Sequence, residues 1–366
     1  MMNVSEFYSY LKNDFPHNTT AKQDIALQLL AKFVLGTNKN ETFLLKGYAG
    51  TGKTTIVGSL VKNLSKIKKR SVLLAPTGRA AKVISNYSNK KAFTIHKKIY
   101  FPKSEKGSVS FTLQQNKHRD TIFIVDEASM IPDINQDSKL FENGSLLDDL
   151  MQYVYSGNNC KLLLIGDSAQ LPPVHLDISP ALDPLLLENQ YNREVIKLEL
   201  DEVVRQQKDS GILENATRIR KRLDDELYEA FKFSGANFAD VIRPVDGQEI
   251  MDAINDSYAA LGNEDTVIIV RSNKRANLYN QSIRERILFQ ESELSAGDYL
   301  MVVKNNYFWV DNTSEAGFIA NGDPLVPLLV LRSKHQLRRA AAKARHVLDE
   351  HILSHLDDVL VCSRQP

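Results

Sequence analysis

Cysteine is nearly absent: Cys160 and Cys362 are the only two in 366 residues. Far apart in sequence, they offer neither a disulfide framework nor a metal-ligand spacing, which points to a reducing compartment. Long apolar runs are missing as well. No stretch of about eighteen apolar residues is available for a membrane-spanning helix, and the N-terminal Met-Met-Asn-Val-Ser-Glu-Phe-Tyr lacks the basic-then-apolar pattern of a secretory signal. There is no excess of one charge either. Lys and Arg number 46 against 45 Asp and Glu, so the whole molecule exerts no net pull on polyanions and any basic surface must be local. A composition of 43% hydrophobic and 25% charged residues allows an ordinary core, and length alone suggests about two or three domains. The expectation is a soluble, cytoplasmic protein.

What the chain does contain is organised around Phe43 to Thr55, Phe-Leu-Leu-Lys-Gly-Tyr-Ala-Gly-Thr-Gly-Lys-Thr-Thr. A short apolar strand runs into glycines and then into a helix. Gly47 to Thr54 matches the phosphate-loop pattern Gly-x-x-x-x-Gly-Lys-[Ser/Thr]. Gly47, Gly50 and Gly52 let backbone amides of the loop, which also holds Ala49 and Thr51, curl around a phosphate, and the helix entered at Lys53, Thr54 and Thr55 points its positive end at the anion. Lys53 is suited to the β/γ-phosphates of ATP and the Thr54 hydroxyl to Mg²⁺. The competing reading is a Gly-rich turn that binds nothing.

Upstream, apolar spacing (Phe7, Leu11; then Ile25, Leu29, Phe33, flanked by Ala26, Leu30 and Val34) predicts two helices separated at Asn13-Asp14-Phe15-Pro16. Gln23 lies at the start of the second; its amide suits an adenine edge, and equally a surface position beside the cap residue Thr20. Downstream, Ser71 to Ala75 reads as a second buried strand followed by Pro76-Thr-Gly-Arg79 and a helix, which makes a parallel sheet with helical crossovers. Pro76, Thr77 and Arg79, with Thr94 and His96 further on, are suited to a phosphodiester backbone, or to capped, solvated loops. From Lys97 to Asp120 the pattern predicts an inserted hairpin, with Val109, Phe111 and Leu113 facing Ile99 and Phe101. A nucleic-acid strand or solvent is the candidate neighbour of its lysines and aromatics. The strand Thr121 to Val125 ends in Asp126-Glu127, suited to hold Mg²⁺ and to activate water respectively. A fourth strand, Lys161 to Ile165, ends in Gly-Asp-Ser-Ala-Gln-Leu-Pro-Pro-Val, where Gln170 is placed to sense the γ-phosphate.

These segments, in this order, resemble the RecD-like/Dda-like branch of superfamily-one DNA helicases. The likeness extends to Leu200-Asp-Glu-Val-Val-Arg-Gln, to Thr266 through Arg284, which resembles the strand and helix that open the second motor domain, and to Gly297–Tyr307 and Gly317–Asp323, covering about residues 18 to 323. The resemblance implies a P-loop, RecA-like α/β domain carrying a small inserted β-hairpin (residues 97–120, a strand-separating pin) and a second, incomplete RecA-like domain with a barrel-like insertion. The expected division is 1–36 N-terminal helices, 37–190 first ATPase domain, 191–323 second domain and 324–366 an atypical helical tail. By resemblance Arg205 is an arginine finger, the cofactors are ATP and Mg²⁺, and a monomer moves 5′ to 3′ on single-stranded or tailed duplex DNA. After Asp323 the family's two last segments have no match. Leu337, Ala341, Ala344, Leu348, Ile352 and Leu356 instead predict an amphipathic helix. Two other readings stay open: a nucleotide- and DNA-binding protein with little motor activity, and a phosphate-loop ATPase acting on RNA.

Overall fold

The computed structural model describes residues 2–302 other than 106–107, 133–143, 174–175, 203–209, 226, 228, 236–237 and 293, together with 324–325. Arg205, the Gly317–Asp323 segment and the predicted tail helix lie outside the described residues. The chain divides into two compact units, Met1–Ile242 with Val302–Asp323, and Arg243–Met301 with Pro324–Pro366.

Four apolar runs of the first unit become strands buried on both faces. They are β1 (Glu41–Gly47), β2 (Arg70–Ala75), β6 (Thr121–Val125) and β7 (Lys161–Gly166). With β3 (Ala92–Thr94) and β8 (Glu194–Leu200) they form a six-stranded sheet in the order β3-β2-β6-β7-β1-β8, every pair parallel. This is a RecA-like arrangement, and it explains why the strands read as unbroken apolar runs: helices cover both faces, so neither parity of side chain meets water. Leu44, Leu74, Phe123, Val125, Leu162 and Leu164 point into one core, with Leu147 and Leu150 of α6 (Leu146–Ser156). Phe43, Leu45, Leu73, Ile124, Leu163 and Ile165 point into the other, with side chains from α1 (Val4–Asn13), α2 (Ala21–Leu35), α3 (Lys53–Asn63) and α4 (Gly78–Ser88). One charge is buried with them. Lys161 is fully enclosed, pairs with Glu41 at 2.8 Å and donates to the Phe33 carbonyl at 2.6 Å, tying the first residues of β7 and β1 to α2.

Three expectations need correction. In α2 the buried stripe is Ala26, Leu27, Leu30, Ala31, Phe33 and Val34, whereas Ile25 is exposed. The covered face, between α1 and the sheet, runs through Phe33 and the flanking positions Ala26, Leu30 and Val34 and leaves Ile25 outside it. The hairpin forms from β4 (Tyr100–Glu105) and β5 (Ser108–Leu113), paired antiparallel. Ile99, however, closes the short helix α5 (Ile95–Ile99), and the strand's parity puts Tyr100 inside and Phe101 out. In the second unit residues 266–270 are not a strand, and Val267 and Ile269 are largely exposed. An apolar run becomes a strand only beside a ladder partner, and none is present there among the described residues. The helix expected after it is present as α10 (Asn273–Arg286), preceded by α9 (Gly247–Asp265), and the two-residue strands β9 (Leu300–Met301) and β10 (Pro324–Leu325) pair antiparallel. Within this unit Arg284 grips Asp298 with two guanidinium nitrogens, at 3.1 and 2.9 Å.

The N-terminal helices are tied by a charge cluster. The Asp24 carboxylate accepts from Lys12 and Tyr8, each at 2.7 Å, and from Gln28. The Lys12 bond, above all, holds the Asp24 carboxyl below its ordinary range. A carboxyl so depressed stabilises the fold above the unfolded-state value of about 3.9 and ceases to do so as pH falls through the lower folded value. Asp24→Asn is expected to lower the thermal midpoint at pH 7 by about 2–4 °C, the equivalent of at most about 1 kcal/mol. The gap from the wild type should close toward pH 3, as thermal melts across pH will show.

Candidate nucleotide site and nucleic-acid edge

In a parallel sheet all carboxyl ends share one rim, and the predicted residues fall there in strand order. Thr94 closes β3, Pro76 to Arg79 follow β2, Asp126 and Glu127 follow β6, and Asp167 and Gln170 follow β7. The phosphate loop follows β1. Strand order, not sequence order, thus sets the two carboxylates and the Gln170 turn between the phosphate loop and the Pro76 loop.

The phosphate loop is shaped by its glycines. Gly50 and Gly52 take left-handed backbone, φ 81 and 91. At Gly52 a Cβ would also lie 2.5 Å from the Gln23 side-chain nitrogen. Gly47 needs closeness instead: a Cβ there would come within 2.9 Å of the Leu200 carbonyl oxygen, the Leu200 Cβ and the Thr51 hydroxyl. Thr51 is fully buried and donates to the Tyr48 carbonyl at 2.8 Å. Lys53 opens α3 and donates to the carbonyls of Gly47 and Tyr48. Ala49 and Thr54 face outward and Thr55 is half-buried.

Gln23 sits against this loop, almost fully buried. Its amide nitrogen donates to the Thr51 carbonyl at 2.9 Å, and its oxygen accepts from the Thr20 backbone in a capping box. The amide that suited an adenine edge in sequence is therefore engaged in bracing the loop and capping α2.

The charges converge. Burial lowers the Lys53 ammonium from its ordinary value, opposed by Asp167, Asp126 and Glu127 in that order. Burial raises the Glu127 carboxyl, and Asp126 raises it further, while Lys53 and a hydrogen bond from Gln170 oppose the rise. Glu127 has left-handed backbone (φ 55, ψ 37), costly for a non-glycine residue, as it caps the turn Ala128–Met130. Asp126 is held at both oxygens: the Glu127 backbone donates to Oδ1 at 2.9 Å and the Tyr87 hydroxyl to Oδ2 at 2.6 Å. Burial, then the two carboxylates, push the Tyr87 phenol well above its ordinary value, so the phenol is the donor.

Sequence reasoning missed three of these residues. Asp167, only 3% exposed, had its signal in the Gly-Asp dipeptide that ends β7, next to the Gln170 that was singled out. Tyr87 had none, being one aromatic on a helix. Arg220, on α8 (Gly211–Asp224), stacks over the Tyr48 ring at 4.7 Å and lowers Lys53 through its charge; in sequence it is one of four cations in Arg-Ile-Arg-Lys-Arg.

At the other end of the rim, Thr77 and Thr94 cap α4 and α5, accepting from Ala80 and Lys97 at 3.2 Å. Ala75 and Thr94 are register partners on β2 and β3, which makes the two helix starts neighbours. Arg79 is exposed, Pro76 is half-buried and His96 lies 5.8 Å from the Tyr100 ring.

Residues 32–176 match the AAA domain family. Over 330 residues the chain is 24% identical to the ATP-dependent DNA helicase dda of Enterobacteria phage T4, covering 87% of this chain and 69% of the phage protein. An uncharacterized protein of Acanthamoeba polyphaga mimivirus is 25% identical over 337 residues, 82% of this chain and 63% of that protein. The RecBCD enzyme subunit RecD of Buchnera aphidicola subsp. Acyrthosiphon pisum is 30% identical over 182 residues, 47% of this chain and 28% of RecD. The chain therefore spans between about a quarter and two thirds of the length of these relatives. The family match covers the phosphate-loop domain, and the likeness to the phage and mimivirus proteins extends over most of the chain, so the comparisons support a superfamily-one helicase-like protein.

Proposed function

We propose that the chain hydrolyses ATP at the loop Gly47 to Thr54 and uses the cycle to move 5′ to 3′ along single-stranded DNA and open tailed duplexes. The observation that carries this reading is the convergence of Lys53, Asp126, Glu127 and Asp167 at adjoining strand ends, beside a loop of phosphate-cradling shape. Lys53 neutralises charge on the β/γ-phosphates. The Thr54 hydroxyl and the Asp126 carboxylate are hard oxygen donors of the kind Mg²⁺ accepts alongside waters and phosphates. When bound, that ion neutralises the charge that develops between the β- and γ-phosphoryl groups. Glu127, buried enough to hold its proton more tightly than a free carboxyl, takes a proton from the attacking water. Gln170, beside Glu127 and accepting from the Ser129 hydroxyl at 3.4 Å, links this base to the γ-phosphate position. Gln23 braces the loop, and Arg205 serves as the finger that completes the charge stabilisation. Pro76, Thr77, Arg79, Thr94 and His96 form the edge that takes the DNA backbone.

Lys53→Ala is expected to reduce single-strand-stimulated ATP hydrolysis by on the order of 10² to 10³ and to weaken nucleotide binding; a variant that retains wild-type turnover would sink the reading. Glu127→Gln keeps the volume and should preserve nucleotide affinity while turnover falls by about 10² to 10⁴, measured by a coupled phosphate-release assay. Polarity is checked with duplexes carrying a 5′ or a 3′ tail, of which only the first should be unwound. Competition between DNA and RNA strands of equal sequence should favour DNA, and preference for RNA would transfer the activity to an RNA-stimulated ATPase.

A further inference from the structure

Asp126 is the only rim carboxylate with a side-chain hydroxyl bonded to it among the described residues, and that hydroxyl comes from a helix outside the phosphate loop. The backbone of Asp126 is fixed by its amide donating to the Leu74 carbonyl at 3.0 Å, within the β2–β6 ladder. Its side chain is fixed by two further bonds, from the Glu127 amide and from Tyr87. The first is local to one turn. The second reaches across from α4, which packs on α3, where a Cβ on Gly58 would lie 3.8 Å from the Tyr87 carbonyl oxygen. Without the Tyr87 hydroxyl, Oδ2 has no protein donor, and the carboxylate is free to turn about its side-chain torsion on the single remaining bond.

We infer that Tyr87 is a positioning residue for the metal-nucleotide complex, holding in a fixed orientation the Asp126 carboxylate that would serve the metal. Tyr87 would act through its bond to Asp126, as outer partners of metal-ligating carboxylates generally do. This rests on the phosphate-loop reading above and adds to it a residue that the loop motifs do not contain.

Tyr87→Phe removes the hydroxyl and keeps the ring, so the packing of α4 on the sheet is retained. Binding of a fluorescent, non-hydrolysable ATP analogue to the full chain is titrated with Mg²⁺ and, separately, in EDTA. The Mg²⁺ concentration for half-maximal binding is expected to rise about tenfold, the lower end of the usual cost of losing such a partner. Affinity in EDTA and the thermal midpoint without ligand should stay at wild-type values. An unchanged Mg²⁺ requirement overturns the proposal, as does a fall in EDTA affinity equal to the fall in Mg²⁺, which would make Tyr87 a purely structural residue. In an Asp126→Ala background the second substitution should add no further shift; the same tenfold change in both backgrounds would disconnect Tyr87 from Asp126 and also overturn it. A wild-type chain that binds the analogue in neither buffer fails differently, since it removes the phosphate-loop reading itself and the role of Tyr87 with it.

Discussion

The parallel hydrogen-bond register of the sheet is the constraint on which the site depends. Because β2, β6, β7 and β1 run the same way and in step, their carboxyl ends form a row, and each contributes one short loop to it. Ile124 opposes both Leu73 and Leu163, and Leu163 opposes Phe43, so a slip of one residue in any strand would exchange the two cores and withdraw that strand's loop from the rim. The continuous burial on both faces prevents that slip. Precision at the site is thus inherited from apolar packing well below it.

The rim itself is the least comfortable part of the unit. It gathers a largely buried ammonium, three carboxylates and a non-glycine residue in left-handed backbone. None of these helps the fold; each is held by the surrounding framework, as is usual where strain serves a site. Glu127 illustrates the balance. Burial and Asp126 favour its protonated form, and Lys53 and Gln170 favour the ionised one, so its proton affinity is a compromise among neighbours that follow three different strands. The Lys161–Glu41 pair at the opposite end of β7, its lysine fully enclosed, has no such tension, because its charges are matched and both partners are anchored at strand starts.

Much of this was legible in sequence, and the reasons are specific. Gly47 to Thr54 announced a loop because its residue types are required by backbone conformation. Asp126-Glu127 and Gln170 announced themselves by following apolar runs. The hairpin was legible from alternation, but Ile99 was misplaced, since one residue at a helix–strand junction carries no periodic signal. What could not be read were the cross-chain partners: Tyr87 on Asp126, Gln23 on Thr51, Arg220 on Tyr48. Each is a contact between segments far apart in sequence, and nothing in either segment encodes the other. Gln23 shows the limit well, since a side chain able to donate and accept was recognised, but which groups it would meet depended on where α2 docks. Val267 and Ile269 mark the opposite failure, an apolar run whose strand requires neighbours supplied from elsewhere.

The place of β1 in the sheet has a kinetic consequence. Phe43 lies between Leu163 and Ile196, so both flanking strands of the phosphate loop are made long after the loop itself leaves the ribosome. Parallel pairing over such separations closes slowly, because the entropy of the intervening chain is lost before any ladder contact forms. During synthesis β2, β3 and β6 can begin to associate while β1 waits, its apolar side chains uncovered. The nucleotide cradle is therefore among the last parts of this unit to assemble, and the nascent chain carries β1 without its ladder partners for the whole of that interval.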